Sequence, residues 1–246
     1  TIIANKAYYS NSNGLYSYKY VSNSGKINIH SFGAENFLVW NPNGSLNEYT
    51  LGLTYDIQFQ NSSSFGLRLD HNDVRALFPF SFTSSDYALP SGRYVFNQFN
   101  AGYSSDYRKK FYFSASVRVG GFYNGTLQQY SLEMTYRAQP WGNFSMNFEQ
   151  NDIKLPEKYG NDRLLLVSPR VEINFSTKLF WTTFLQFNTQ RNNFNVNSRL
   201  QWRYKPMSDF FLVYTDNYFT DPLFRNKSRR SEERRVGKEC LRLCRS

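Results

Sequence analysis

The chain alternates between apolar or aromatic residues and polar residues over long stretches, most strictly over residues 48–60 and 127–137. Side chains two positions apart share one face of an extended strand, which places Leu51 and Leu53 opposite Thr54 in the first stretch. The predicted strands are roughly 9 to 13 residues long. A tilted strand needs about this length to cross a membrane, whereas strands of roughly 5 to 6 residues are usual in soluble sheets. The pattern therefore favours a membrane-spanning sheet.

The alternating segments and the turn-forming residues between them divide most of the chain into predicted strands. These strands cover residues 14–21, 25–32, 35–40, 48–60, 63–71, 94–104, 111–123, 127–138, 143–150, 163–175, 180–190, 194–204 and 210–218. Short turns are predicted at residues 60–63, 105–109, 139–142, 176–178 and 205–209. Because these turns occupy alternate connections, we expect them at one rim of the sheet. The longer connections, 72–93 and 151–162, belong to the other rim, where binding loops are expected.

The predicted fold is all-β: an antiparallel, up-and-down transmembrane β-barrel of about a dozen strands with a polar lumen, in a bacterial outer membrane. A barrel must close, because an unpaired strand edge in hydrocarbon leaves backbone polar groups without partners. No run of about 18 apolar residues occurs, which excludes a helical span. We interpret residues 1–229 as one barrel region. We expect it to be an incomplete C-terminal part of a larger barrel, since Thr1 follows no signal segment and a closing strand is missing after Phe219.

The composition agrees with this prediction. Aromatic residues make up 19% of the chain, enough to supply the girdles that flank the apolar band of membrane barrels. The mean hydropathy of -0.60 does not argue against a membrane, because lumen-facing residues dilute the apolar signal.

Residues 230–246 differ abruptly in composition from the rest of the chain. They carry six basic and three acidic side chains, which leaves a net charge of +7 on residues 1–229. They resemble a translated DNA-sequencing adapter, and we expect them to be a non-native tail. A solvated basic tail that binds nucleic acid or anionic lipid is the alternative. Because Cys240 and Cys244 both lie in this segment, their spacing does not predict a redox or metal site.

Five arginines on the polar faces of predicted strands are the candidate ligand-binding residues of the lumen. They are Arg118, Arg137, Arg170, Arg199 and Arg203. In a lumen they would favour anions. The alternative, which we prefer, is that they pair with Glu133, Glu172 and neighbouring groups and so fill the lumen.

Residues suited to catalysis are sparse. His30 and His71 are the only histidines, and neither a nucleophile elbow, nor a phosphate loop, nor a zinc-protease spacing occurs. The segment 70–73 offers oxygen and imidazole ligands for a metal, but four polar residues at the end of a strand more often form a turn. Glu149 and Asp152 supply the two carboxylates of a glycosidase, but a position at the end of a loop is the simpler interpretation. We therefore expect no catalysis, no cofactor and no metal.

The segment 77–82, with the sequence LFPFSF, lies in the longest predicted connection. Its aromatic residues suit either a surface loop that presents platforms for sugars or an extension of a strand into the membrane interface. We prefer the strand extension, because aromatic residues commonly gather at membrane interfaces.

Six motifs stand out along the chain. They are GGFYNGT at residues 120–126, QPWG at 139–142, NDIKLP at 151–156, LFWTTF at 179–184, NSRLQWRY at 197–204 and SDFFLVY at 208–214. Together they resemble a bacterial family, frequent in Bacteroidota, in which a carbohydrate-binding-module family 9-like domain precedes a long C-terminal β-barrel region. The resemblance covers about residues 30–228. It implies an outer-membrane barrel of a carbohydrate-handling system and a final apolar strand after residues 225–229, and it carries over no catalytic residue.

We therefore expect an outer-membrane barrel that serves as an anchor or a passage in a larger carbohydrate-handling protein. Its expected partners are outer-membrane lipid and a glycan, which would bind through an N-terminal domain outside this chain or through the outer loops. Nucleic acid is not expected. Two alternatives remain open: a transporter barrel like that of TonB-dependent receptors, which uses about 22 strands, and a secreted β-protein that binds glycans.

Overall fold

A computed structural model describes residues 10–22, 25–81, 83, 87–190 and 192–220. Twelve strands form one sheet in which each strand is hydrogen-bonded to its neighbours in sequence. The strands are β1 (Ser10–Val21), β2 (Ile27–Trp40), β3 (Leu46–Phe59), β4 (Ser64–Ala76), β5 (Gly92–Ser104), β6 (Phe111–Phe122), β7 (Gly125–Ala138), β8 (Gly142–Lys154), β9 (Asn161–Asn174), β10 (Leu179–Asn188), β11 (Asn193–Lys205) and β12 (Ser208–Phe219). The all-β class and the antiparallel, up-and-down strand order are as predicted.

The only helical element among the described residues is a single 3-10 turn at Glu157–Tyr159. In that part of the chain, no helix is long and apolar enough to cross a membrane. The predicted non-native tail at residues 230–246 and the strand expected after residues 225–229 lie outside the described residues.

One predicted break in a strand is wrong. The sequence predicts separate strands at residues 25–32 and 35–40, whereas β2 runs without interruption through Gly33. Gly33 disturbs the alternation of side chains, but its backbone keeps its place in the ladder opposite Thr54. The strand continues because cross-strand hydrogen bonds do not depend on the missing side chain.

The turn predicted at residues 70–73 is also wrong. All four residues lie within β4, which extends to Ala76. They pair with β3 on one side and with β5 on the other, as Asp73 does with Tyr49 and Val95. Two neighbouring strands thus hold this polar segment extended, although its composition is typical of a turn.

The strands fall into two compact units. Unit 1 comprises Thr1–Arg108, Ser114–Ser131 and Asn151–Arg163, and unit 2 comprises Lys109–Phe113, Leu132–Gln150 and Leu164–Ser246. Strands β1 to β5 belong to unit 1, and β10 to β12 belong to unit 2.

The register in unit 1 separates an apolar face from a polar face. Leu53 on β3 lies opposite Leu69 on β4, which lies opposite Phe99 on β5. The next residue along β3, Thr54, lies opposite Arg68. Because successive side chains point to opposite sides of a sheet, the two rows occupy different faces. We call the face with Leu53 the apolar face of unit 1 and the face with Arg68 its polar face.

Unit 2 shows the same separation. Leu200 on β11 lies between Trp181 on β10 and Leu212 on β12, whereas Arg199 lies between Thr182 and Val213. The register thus places Leu200 and Arg199 on opposite faces, and the Arg199 row is the more polar of the two. The apolar row with Leu200 defines the apolar face of unit 2.

Few apolar side chains are buried. Among the described residues, the buried apolar set is Leu89, Leu127, Ile153 and Leu155. The apolar face of unit 1 is instead exposed, with Leu53 at 63% and Val95 at 55% of full exposure. A soluble sheet covers such a face with a second layer.

The five predicted short turns join β3 to β4, β5 to β6, β7 to β8, β9 to β10 and β11 to β12, and so occupy alternate connections as predicted. Their side chains close the backbone locally. The Asn61 side-chain oxygen accepts a hydrogen bond from the Ser63 N–H at 3.1 Å, and Asp106 accepts one from the Arg108 N–H at 3.0 Å. The Asp106 carboxylate also accepts from the Arg108 guanidinium and thereby raises the pKa of that group above its ordinary value.

Candidate functional site on the polar face of unit 1

An arginine bound by two carboxylates lies at the centre of the polar face of unit 1. Arg68 on β4 donates from Nη1 to Glu35 Oε2 at 2.6 Å, and from Nε to Asp70 Oδ1 and Oδ2 at 2.8 and 2.9 Å. Asp70 lies two positions along the same strand, whereas Glu35 lies on β2. The guanidinium therefore bridges two strands that are not neighbours, and it passes over β3. We call these three residues the Arg68 network.

A glycine on β3 leaves room for this bridge. Gly52 lies between Glu35 and Asp70 in a cross-strand row. A Cβ atom at Gly52 would lie 2.9 Å from Asp70 Oδ1 and 3.0 Å from Arg68 Nη2, which is closer than real Cβ contacts normally come. A side chain here would therefore displace the carboxylate or the guanidinium. The local absence of a side chain is what allows the charges to meet above the strand.

Two more glycines of the polar face lie beside oxygen-bearing side chains. A Cβ at Gly33 would meet Thr54 Oγ1 at 2.3 Å, and a Cβ at Gly66 would meet Asp56 Oδ1 at 2.7 Å. Together with Gly52, these positions leave the polar side chains of β3 and β4 free to lie across the neighbouring backbone.

A cavity of about 350 Å³ opens beside the Arg68 network. Leu15 and Phe37 supply apolar contacts at its wall, and Thr50, Glu35 and Arg68 supply polar ones. The cavity thus combines hydrogen-bonding groups with an aromatic surface, which is the usual chemistry of a site for a small polar molecule. The side chains of Arg68 and Glu35 are 37% and 36% exposed, so solvent screens this ion pair.

The predicted lumen arginine Arg118 lies on the same face. It is opposite Asn100 on β5, which is opposite Arg68 on β4. Arg118 is exposed, and among the described residues it forms no ion pair. Its charge is therefore available to an anion in solution.

The other four predicted arginines lie in unit 2, where each has a partner. Arg170 forms an ion pair with Glu172 at 2.5 Å, and Arg203 forms one with Asp209 at 3.1 Å. Arg199 donates to Gln201 at 3.3 Å and lies 5.3 Å from the centre of the Phe211 ring. Arg137 stacks over the Tyr112 ring at 4.7 Å. The pairing of Arg170 with Glu172 follows the preferred alternative, in which neighbouring acids neutralise these arginines.

The Arg68 network was not predicted from the sequence. Arg68 and Asp70 are two positions apart and so share a face, which the alternation could have shown. Glu35 was not recognised because the sequence predicts a break in β2 at Gly33. With that break, the alternation of β2 does not show that Glu35 shares a face with the polar residues of β3. The sequence does contain one signal for the site, namely the three glycines at polar-face positions near charged residues: Gly33, Gly52 and Gly66.

The side chains of residues 70–73, which were weighed from the sequence as metal ligands and set aside, do not form a cluster. Asp70 lies on the polar face, whereas His71 and Asp73 lie on the apolar face. Asp73 pairs with Arg93, and His71 Nδ1 lies 2.7 Å from Asn97 Oδ1. No group of three or more His, Cys, Asp or Glu suited to a metal occurs within the described ranges. His30, which also lies on the apolar face, has its Nδ1 2.9 Å from the Tyr55 hydroxyl.

The two carboxylates considered for glycoside hydrolysis lie within β8, not at the end of a loop as expected. Glu149 and Asp152 are three positions apart in this strand. Asp152 accepts from Arg163 Nε at 2.7 Å, which ties it to the start of β9. The strand conformation separates these side chains onto opposite sides, so they do not face one substrate.

Residues 77–81 do not extend a strand as predicted, and Phe82, the last residue of the predicted segment, lies outside the described residues. β4 ends at Ala76 and β5 begins at Gly92, and Phe80 forms an isolated bridge with Leu89. The Phe80 ring lies 4.9 Å from the Tyr123 ring, whose other neighbours include the ring of Tyr94 at 5.2 Å. Aromatic stacking and the buried Leu89 thus hold this connection against the end of the sheet.

Comparison of the chain with protein-family models, with curated proteins and with solved structures found no match.

Proposed function

We propose that this chain forms part of a bacterial outer-membrane β-barrel that serves as an anchor or a passage, without catalysis, in a protein that handles carbohydrate. The observation that carries the proposal is the exposed apolar face of unit 1 opposite a face with a charged network. The carbohydrate role rests on the sequence motifs alone.

The apolar face has the dimensions and chemistry that lipid requires. The strands are 10 to 14 residues long, whereas a tilted strand crosses hydrocarbon with about 9 to 11 residues. Tyr16, Leu53 and Leu69 lie in one cross-strand row of unit 1, in which Ala34 lies between Tyr16 and Leu53, and they are 70%, 63% and 52% exposed. In water such a continuous apolar surface promotes association, but in a bilayer it is the favourable surface.

The polar face suits an aqueous interior. Arg68, Glu35 and Asp70 retain partial contact with solvent while they bind one another. Charged side chains are costly against lipid and are tolerated where they face water or each other. A barrel with the polar face inward satisfies both faces at once.

Polar and aromatic side chains at the ends of the apolar faces suit the two membrane interfaces. In unit 1 the Asp73–Arg93 pair lies at the end that carries the longest connection. In unit 2, Trp202 and Tyr204 lie near the short β11–β12 turn with their rings 5.9 Å apart, and they are 51% and 47% exposed. Tryptophan and tyrosine favour the headgroup region, because one end of each side chain is apolar and the other is polar.

A flotation experiment tests the proposal. The full chain is refolded from urea with phosphatidylcholine vesicles and centrifuged through a density gradient, and far-UV circular dichroism follows the β-structure. We expect the folded chain to float with the vesicles and to resist extraction at high pH. A folded monomer that stays soluble in buffer without lipid or detergent would contradict the proposal.

A further inference from the structure

A second cavity of unit 1 lies away from the Arg68 network, at the end of the strands that carries the short turns. Its volume is about 480 Å³, and it is lined by Lys26, Phe59, Gln60, Asn61, Ser63 and Tyr103. These residues come from the β1–β2 connection, the end of β3, the β3–β4 turn and β5. The volume falls within the range of about 300 to 1,000 Å³ that is usual for ligand sites.

One side of this cavity continues the apolar face. Phe59 follows Leu53 and Ile57 on the same side of β3, because side chains two positions apart share a face. Tyr103 on β5 lies opposite Phe65 on β4, and Phe65 lies opposite Ile57. The two rings that line the cavity therefore belong to the exposed apolar surface that the proposed function places against lipid.

The other side of the cavity is polar. It is formed by the β3–β4 turn, whose polar groups form hydrogen bonds within the protein. Asn61 Oδ1 accepts from the Ser63 N–H at 3.1 Å and from the Ser63 hydroxyl at 2.6 Å. The Gln60 N–H donates to the Lys26 carbonyl at 3.0 Å, which joins the two connections. The turn is thus a fixed wall and needs no ligand to complete its hydrogen bonds.

The charge at the cavity is of one sign. Lys26 is exposed, and it is the single charged residue among the described residues that line the cavity. Within the described part of the chain, the Lys26 ammonium has no ion-pair partner. A ligand that neutralises this ammonium must be an anion, and a ligand that also covers the two rings must carry an apolar part.

We propose that this cavity binds the headgroup of an anionic phospholipid. The headgroup phosphate lies at the Lys26 ammonium, and the first carbons of an acyl chain lie against Phe59 and Tyr103. The inference rests on the proposed function, because only membrane insertion brings this rim to the depth of the lipid headgroups. Short turns usually lie on the periplasmic side of such barrels, so the ligand belongs to the leaflet on that side.

Native mass spectrometry tests the site in the full, detergent-refolded chain. Short-chain phosphatidylglycerol is titrated against phosphatidylcholine with the same acyl chains, and the bound lipid is counted. We expect Lys26→Gln to weaken phosphatidylglycerol binding about fivefold, since a lysine near anionic lipid contributes about 1 kcal/mol. Phosphatidylcholine binding should weaken less, because its choline group offsets the charge of the phosphate. Lys26→Arg should restore the affinity, which separates a role in binding from a role in folding.

Lys19 provides the matched control. It is exposed and lies opposite Ser31, on the polar face of β1, so Lys19→Gln removes one positive charge from a nearby strand without touching the cavity. An equal loss in Lys19→Gln and Lys26→Gln would overturn the inference, as would no loss in Lys26→Gln. Displacement of phosphatidylglycerol by inorganic phosphate at constant ionic strength would identify a site for a free anion and would also overturn it. Flotation with phosphatidylcholine does not depend on Lys26. Loss of flotation would therefore contradict the proposed function, whereas loss of lipid selectivity alone would contradict only the headgroup site.

Discussion

Arg68 on β4 donates a 2.6 Å hydrogen bond to Glu35 on β2 across the intervening strand β3. The contact exists because Gly52 presents no side chain between them. This ion pair links β2 directly to β4, whereas backbone hydrogen bonds link only neighbouring strands. It also fixes the side chains that border the cavity of about 350 Å³.

Gly52→Ala should destabilise the fold by about 1 kcal/mol, because the new Cβ displaces the Arg68 network while the backbone stays in place. The measurement is the free energy of unfolding in detergent or lipid, by urea titration. Gly102→Ala is the control, since a Cβ there would lie 3.6 Å from Ser116 Cβ, an ordinary contact. That control should be neutral or stabilising by up to about 1 kcal/mol.

The same experiment in an Arg68→Gln background tests the cause. The cost of Gly52→Ala should fall there, because the guanidinium is gone and no longer holds the Asp70 carboxylate against the new Cβ, and the two substitutions should therefore be non-additive. Purely additive costs would show that Gly52 acts through the backbone and not through the network.

Arg68→Gln should cost more stability than Arg118→Gln. The first substitution leaves Glu35 and Asp70 without their shared cation, at a cost of about 1 kcal/mol, since Asp70 is 13% exposed and is screened less than Glu35. The second removes an exposed charge that has no ion pair among the described residues, and it should change the free energy of unfolding by no more than about 0.5 kcal/mol. Equal costs in urea titrations would contradict the assignment of Arg68 as the centre of the polar face.

Leu200→Arg should impair folding into bilayers far more than Arg199→Leu. A lipid-facing arginine near the middle of the membrane costs roughly 2 to 4 kcal/mol, whereas a substitution on the opposite face mainly alters the interior. Folding titrations into phosphatidylcholine vesicles measure both variants in the same strand, β11. The reverse order of costs would mean that the two faces of unit 2 are assigned the wrong way round.

Tyr123→Ala should loosen the connection between β4 and β5 without unfolding the sheet, because Tyr123 contacts the rings of Phe80 and Tyr94. Limited proteolysis should cut within residues 77–91 several times faster in this variant. Phe78→Ala is the control in the same connection, since Phe78 is 76% exposed. Equal proteolysis rates in the two variants would show that the aromatic contacts do not hold the connection.

Most of the strand pattern could be predicted from the sequence because each face of a strand faces one environment. β3, β7 and β11 alternate strictly, so their two sets of side chains are separable without coordinates. The prediction was wrong where composition departs from alternation. Gly33 interrupts the side-chain pattern of β2 but not its backbone pairing, and the polar residues 70–73 remain extended because strands on both sides bind them.

The candidate site was harder to predict, because it depends on the register between strands. Arg118 could be assigned to the polar face from its own strand alone. The contact between Arg68 and Glu35 depends on how β2, β3 and β4 align, and no local pattern specifies that alignment. The cavity at Lys26 likewise combines three separate segments of unit 1.

Site-directed spin labelling along β3 tests the membrane assignment most directly. In a chain whose Cys240 and Cys244 are replaced by Ser, single cysteines at residues 50 to 56 carry a nitroxide, and its collision rates with oxygen and with a water-soluble nickel chelate are measured in phosphatidylcholine vesicles. We expect a period of two, with oxygen favoured at residues 51, 53 and 55 and the nickel chelate favoured at residues 50, 54 and 56. High accessibility to the nickel chelate at both sets of positions would contradict the membrane assignment, because both faces of the sheet would then lie in water.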